Sequence, residues 1–133
     1  MKLISLLITV LGTATLLGCA VPPDDRGEQL YMSYCVSCHG QSAEGNGPLA
    51  DDLPQRPADL TQLAAQNSGV FPSSRVMAKI YGYPGRYQTD IMPEFGPELA
   101  GPTVLWTDET GAEVETPQAL LDLRDYLARL QTL

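Results

Sequence analysis

CVSCHG, at positions 35–40, concentrates the reactive side chains of this sequence. It holds two of the three cysteines and the only histidine among 133 residues. Side chains three positions apart on a helical turn lie on the same side, so Cys35 and Cys38 are placed to bond one partner together. His39 follows them directly. The turn therefore predicts a binding site for a single ligand.

The C-x-x-C-H pattern is the attachment signature of c-type haem. Each thiol bonds one vinyl group of the porphyrin, and the adjacent imidazole is carried under the iron as its proximal ligand. A structural zinc site needs four ligands, and outside the first segment only Cys35, Cys38 and His39 are suitable. A thioredoxin-like pair belongs to a βαβ pattern, which the sequence lacks. A plain structural disulfide is the remaining alternative.

The second axial ligand must be another residue type, because the chain has one histidine. The candidates are Met32, Met77, Met92 and Lys79, or an open position. Met32 lies on the attachment helix itself, and Met77 falls on the apolar stripe of a later helix. Met92 lies in the loop DIMPEFG, where Pro93 favours an extended backbone at the residue before it. We therefore predict Met92 as the ligand, with a hydrophobic plug as the alternative.

A third prediction concerns the orientation of His39. A metal-bound imidazole usually donates its other N–H to an acceptor in the surrounding protein. Pro48, in the loop GNGPLA after the motif, offers a carbonyl in a suitable place. We expect this carbonyl to orient the ring, unless Pro48 serves only as a turn residue.

Residues 1–18 have the composition of an export signal, with Lys2 before an apolar run that is short for a bilayer span. The sequence LLGC, ending at Cys19, resembles the processing site of a bacterial lipoprotein, in which the cysteine is lipidated. An uncleaved anchor and an ordinary signal with an isolated cysteine are the alternatives. Ala20 favours the outer over the inner membrane by the same resemblance. We expect a lipid-anchored protein on the periplasmic side of a bacterial membrane.

A lipid-anchored tether at residues 19–26 is predicted to precede one domain at residues 27–133. Residues 40–57 and 83–102 are rich in glycine and proline and are expected to be loops. Loops of this length are unusual in so small a domain, and a large rigid ligand wrapped by both of them would account for their length. The predicted fold class is therefore all-α, with long loops around one covalently attached haem.

Four segments carry the apolar spacing or the end signals of helices. They are residues 27–38, residues 58–66, a helix capped by Ser73 or Ser74 with its stop at Gly82, and a last helix with Thr116 as N-cap and Pro117 in its first position. Residues 105–114 are predicted to form either a small hairpin or an irregular excursion.

Taken together, these motifs resemble those of class I c-type cytochromes over about residues 27–131. The motifs that carry the resemblance are CVSCHG, GNGPLA, RPADLT, KIYG, MPEFG and the closing LLDLRDYLARLQ. The resemblance implies a cytochrome c fold of three to five helices, with Gly27 and Tyr31 of the first helix facing Leu123, Tyr126 or Leu127 of the last. Residues 102–115 exceed the minimal pattern of that family.

The function implied is one-electron transfer on a haem ligated by His39 and Met92, rather than enzymatic catalysis on a small-molecule substrate. The alternatives are a haem-bearing subunit of a larger membrane oxidoreductase complex, or a haem sensor or peroxidase-like enzyme with an open sixth position. Sixteen acidic and eight basic residues give a formal net charge of −8. This balance disfavours nucleic acid and favours redox proteins with basic docking surfaces.

Overall fold

The computed structural model describes residues 23–82 and 91–132. Cys19 and the export-signal segment lie outside these residues. The described α-helices are α1 (Pro23–Tyr34), α2 (Val36–His39), α3 (Ser73–Tyr81) and α4 (Gln118–Arg129). The described strands are β1 (Thr103–Thr107) and β2 (Glu113–Pro117). Short 3-10 turns lie at Ala50–Asp52, Leu60–Gln62 and Ala65–Asn67.

Helices α1 and α4 cross and form the largest contact between helices in the described part of the chain. Gly27 lies at the crossing, where a Cβ atom would come within 2.7 Å of the Cβ of Tyr126 and would overlap the carbonyl oxygen of Asp122. The fully buried ring of Tyr31 packs 5.3 Å, centroid to centroid, from the ring of Tyr126. The predicted crossing, with Gly27 and Tyr31 facing Tyr126, is confirmed.

An ion pair fixes the same crossing. The Asp122 carboxylate is buried on α4, and the Nε of Arg26 on α1 lies 3.0 Å from it. The side chain of Gln118 donates a second bond to this carboxylate at 2.8 Å. Because a buried charge is costly unless it is paired and hydrogen-bonded, these contacts favour a single register between the two helices.

The helix that carries the cysteines is divided at Cys35. It begins earlier than predicted, at Pro23, so the last residues of the predicted tether are helical. The hydrogen-bonded spiral continues through the division, because the N–H of Cys35 bonds the carbonyl of Tyr31 at 2.8 Å and that of His39 bonds the carbonyl of Cys35 at 2.9 Å. Residues 35–39, the predicted site of haem attachment, are therefore held by hydrogen bonds at the end of α1. We refer to them as the attachment turn.

Two predicted helix starts need correction. Helix α3 ends before Gly82, as predicted, but it begins at Ser73 with Pro72 as its N-cap, so neither Ser73 nor Ser74 is the capping residue. Helix α4 begins at Gln118 with Pro117 as N-cap. The Thr116 hydroxyl donates instead to the carbonyl of Val114 at 3.1 Å, within the strand.

The region between α2 and α3 is less helical than predicted. Residues 58–66 contain two 3-10 turns in place of one helix. The carboxylate of Asp59 caps the first turn by accepting from the N–H of Thr61 at 2.9 Å. Side chains of this kind compete for backbone groups and favour short turns over helices.

The prediction of an all-α class is not confirmed, because residues 103–117 form an antiparallel hairpin within a mostly helical domain. Trp106 pairs with Val114 in its register. The guanidinium of Arg124 lies 5.5 Å from the centroid of the indole ring, which connects the hairpin to α4. Of the two alternatives for this segment, the hairpin is therefore correct.

The core joins one face of α4 to α1 and α3. Its buried members are Tyr31, Cys35, Ala43, Met77, Ile80, Leu99, Leu120, Leu121, Leu123, Tyr126 and Leu127. Because Cys35 belongs to this cluster, the attachment turn is continuous with the core. Among the described residues, no helix has the length and apolar character needed to cross a bilayer.

Candidate haem site

The two cysteines of the attachment turn form no disulfide with each other and lie in different environments. Cys35 is buried in the core, whereas Cys38 is half-buried. Burial, with a smaller contribution from Cys38, raises the pKa of the Cys35 thiol to about 12. Reactive redox cysteines have lowered pKa values, so Cys35 lacks the property that the nucleophile of a thioredoxin-like dithiol requires.

His39 is held by a backbone carbonyl from a distant segment. Its side chain is 8% exposed, and Nδ1 lies 3.0 Å from the carbonyl oxygen of Ala58. Because a carbonyl only accepts, Nδ1 carries the hydrogen and Nε2 keeps its lone pair. Burial lowers the pKa of His39, and the bond to Ala58 opposes this in part. The ring is therefore a neutral imidazole with one nitrogen ready to bind a metal.

The prediction that the Pro48 carbonyl orients His39 is wrong, because the acceptor is Ala58. The loop that contains Pro48 is held against α2, where the N–H of Gly47 bonds the carbonyl of Cys38 at 3.1 Å. A Cβ on Gly47 would lie 2.6 Å from the carbonyl carbon of Cys38, so only glycine permits this approach. Pro48 itself is exposed and lines a surface pocket beside the attachment turn.

Three hydrogen bonds fix the segment that presents Ala58. Arg56 Nε donates to the carbonyl of Gly45 at 3.2 Å, and the N–H of Leu60 donates to the carbonyl of Ala43 at 2.7 Å. The side chain of Gln131, beyond the end of α4, donates to the carbonyl of Leu60 at 2.8 Å. We refer to residues 56–60 as the His39 strap. The sequence gives no sign of this role, because the acceptor is a main-chain carbonyl.

The four candidates for the second axial position lie in different surroundings. Met32 is exposed on α1, and Met77 is buried in the core on α3. Met92 is partly buried and packs against the core cluster. Lys79 is half-buried on α3 and has interactions of its own. Met92 is therefore neither a surface side chain nor a fully enclosed one.

The loop around Met92 is attached at two places, both through Phe95. The N–H of Phe95 donates to the carbonyl of Ile80 at 2.8 Å, which joins the loop to the last turn of α3. The ring of Phe95 packs 6.0 Å from that of Tyr34, the residue immediately before Cys35. The Met92 loop thus lies between the end of α3 and the attachment turn.

The side chains present fit a c-type haem. Two thiols and a neutral imidazole share one turn, and Nδ1 of the imidazole is held by the His39 strap. The partly buried thioether of Met92 lies in a loop that contacts the same end of α1. The described residues contain no cluster of three or more His, Cys, Asp or Glu side chains arranged to hold a metal ion.

Fold and site together define a c-type cytochrome domain. A sequence model of the family described as cytochrome c oxidase, cbb3-type, subunit III matches residues 22–106, which is more than half of the chain. The chain belongs to this family, whose cofactor is covalently bound haem c with its iron and whose role is haem-based electron transfer. Comparisons with curated proteins and with solved structures find no match.

Proposed function

We propose that this protein carries one electron at a time on a single haem c, attached through Cys35 and Cys38 and ligated by His39 and Met92. The observation that carries the proposal is the bond between Nδ1 of His39 and the Ala58 carbonyl, which leaves Nε2 as a neutral ligand beside the thiols. When attached, the haem supplies an iron that alternates between its ferrous and ferric states.

The surrounding side chains support this role by keeping the ligands in place. The His39 strap holds the imidazole ring in one orientation, which favours the same ligation in both oxidation states. A methionine opposite a histidine raises the reduction potential relative to a second histidine. Transfer towards a high-potential acceptor therefore suits this ligand pair.

We place the protein on the periplasmic side of a bacterial membrane, anchored by lipid on Cys19. Support for the anchor comes from the sequence around Cys19 and from the apolar run before it. Acyl chains contribute about 0.8 kcal/mol per buried methylene, so two or more hold a protein stably on a bilayer. Ala20 favours the outer membrane over the inner one.

Its partners in this proposal are redox proteins that dock through basic surfaces. The formal net charge of −8 supports this choice, because it attracts positively charged proteins over distances comparable to the Debye length. Interfaces between electron-transfer proteins are usually small and short-lived.

A second candidate function is a haem-bearing subunit fixed in a larger membrane oxidoreductase. The description of the family as a subunit of an oxidase favours it. Purification of the protein from solubilised membranes distinguishes a fixed subunit from a mobile carrier. A fixed subunit co-purifies with its complex at mild salt, whereas a mobile carrier dissociates from its partners.

The test of the proposal is an optical and redox titration of the purified protein and of its Met92→Ala variant. We expect the oxidised protein to show the long-wavelength band of Met–Fe(III) ligation, and the variant to lose the band and to have a lower potential. Retention of both by the variant would show that Met92 is not the ligand. Rapid binding of carbon monoxide by the reduced protein, without displacement of Met92, would favour a sensor or enzyme instead.

A further inference from the structure

The N-terminus of α3 is capped by a residue from the β-hairpin. The first N–H groups of a helix have no partner within it, and Pro72 supplies no side-chain cap. The carboxylate of Glu109, in the hairpin turn, accepts from the N–H of Ser74 at 2.9 Å and from the Ser74 hydroxyl. Ser74 is the second residue of α3, a position that N-cap side chains usually serve.

The charge of Glu109 also suits this position. A carboxylate at a helix N-terminus interacts favourably with the helix dipole. The hydrogen bond from the Ser74 hydroxyl lowers the pKa of Glu109, which keeps the side chain ionised. Glu109, which lies 35 residues from Ser74 in the sequence, thus provides the helix cap that a serine or aspartate next to the helix normally provides.

The turn that presents Glu109 is itself well ordered. The Asp108 carboxylate accepts from the N–H of Thr110 at 2.8 Å and from the N–H of Ala112 at 2.9 Å. One residue pair before the turn, the ring of Trp106 packs against the guanidinium of Arg124 on α4. The hairpin therefore connects α4 to the start of α3.

The other end of α3 holds the Met92 loop. The carbonyl of Ile80 accepts from the N–H of Phe95 at 2.8 Å. A Cβ on Gly96 would lie 2.7 Å from the carbonyl oxygen of Tyr81, so the loop passes directly over the last turn. Helix α3 has only nine residues. An isolated helix this short is marginal in water, so the order of α3 depends on its buried face and on the groups that bond its two ends.

We propose that Glu109 is a positioning residue for the Met92 ligand, acting through α3. Its carboxylate fixes the start of the helix, and the Ile80–Phe95 bond transmits that order to the loop. The inference rests on the proposed ligation by Met92, and it gives a role to the segment by which the chain exceeds the minimal family pattern.

The first experiment measures how readily an external ligand displaces Met92. The oxidised full-length protein and its variants are titrated with imidazole below the onset of unfolding, and loss of the long-wavelength band is followed. Glu109→Ala should bind imidazole about five-fold more tightly than the wild type, the effect of losing a typical helix cap. Glu109→Gln, which keeps an acceptor oxygen, should lie between the two.

The matched control is Glu113→Ala, which removes an exposed carboxylate from β2 of the same hairpin. Its imidazole affinity should equal that of the wild type. Equal affinity of the Glu109→Ala variant and the wild type would overturn the proposal, as would an equal effect of the two alanine variants.

Hydrogen exchange separates a failure of this inference from a failure of the ligand assignment. In Glu109→Ala, the amide of Phe95 should exchange about five-fold faster than in the wild type, together with the amides of the first turn of α3. This readout does not require Met92 to bind iron. Faster exchange confined to the first turn would overturn the proposal while leaving the Met92 assignment intact. Absence of the long-wavelength band in the wild type would contradict the Met92 assignment, and with it the role of Glu109 in positioning that ligand, whatever the exchange rate of Phe95.

Discussion

The hydroxyl group of Tyr31 donates to the carbonyl oxygen of Gly40 at 2.6 Å, in a fully buried position. Burial is the main cause that raises the pKa of Tyr31 above its ordinary value, so the group stays protonated and remains a donor. Gly40 follows His39 in the chain. A single hydrogen bond thus ties the last turn of α1 to the end of the attachment turn.

Replacement of Tyr31 by phenylalanine tests this bond. The ring and its packing on Tyr126 remain, but the Gly40 carbonyl loses its buried partner. We expect Tyr31→Phe to lower the free energy of unfolding by about 1–2 kcal/mol, measured by denaturant titration of the haem-loaded protein.

Tyr34→Phe is the control for that measurement. Tyr34 lies on the same helix, its side chain is exposed, and its ring contact with Phe95 survives the change. It should leave the free energy of unfolding within about 0.5 kcal/mol of the wild type. Equal losses in the two variants would mean that the bond to Gly40 contributes nothing specific.

At this scale the sequence predicts reactive groups better than it predicts their partners. Cys35, Cys38 and His39 are recognisable because their chemistry and spacing are local. The acceptor for His39 cannot be recognised in this way, because every residue has a main-chain carbonyl and Ala58 lies 19 positions away in the sequence. The prediction that the Pro48 carbonyl orients His39 is wrong because the loop that contains Pro48 is folded against α2.

The crossing of α1 and α4 depends on one missing side chain. Alanine is favoured over glycine in a helix by about 1 kcal/mol, so Gly27→Ala would stabilise the protein if only helix propensity mattered. The added Cβ, however, would overlap the carbonyl oxygen of Asp122 on α4. We expect Gly27→Ala to destabilise the protein by about 1–3 kcal/mol, the usual cost of overpacking, as measured by denaturant midpoint and slope.

Gly101→Ala provides the comparison for Gly27→Ala. Gly101 is exposed, and a Cβ built there meets no atom within 4 Å. Its stability should be unchanged or slightly increased. A Gly27→Ala variant as stable as Gly101→Ala would show that the two helices do not approach as closely as described.

Among the elements, the helices α3 and α4 can be predicted from their apolar spacing, and the end of α3 can be predicted from Gly82. Their starting points do not, because Pro72 and Pro117 take positions that serine and threonine usually occupy. The stretch TVLWT is rich in β-branched and aromatic residues, which permits a strand. Nothing local shows that Glu109 in the following turn reaches α3, because that contact depends on the fold of the whole domain.

For the molecule as a whole, the proposed attachment to a membrane depends on Cys19. Cys19→Ala would remove the proposed acceptor for lipid and leave residues 35–39 unchanged. We expect the variant to appear in the soluble periplasmic fraction with its normal haem spectrum, as followed by fractionation and by optical spectra. Continued sedimentation with the membranes would contradict lipidation of Cys19.

The packing of the cysteines bears on how the mature protein is made. Cys35 is buried in the core that α1 and α4 share, whereas Cys38 is half-buried. A chain that reached this conformation early would present only one of its two sulfur atoms to an incoming porphyrin. If both sulfur atoms bond the porphyrin, as proposed above, we expect the link to Cys35 to form before the helices close around it.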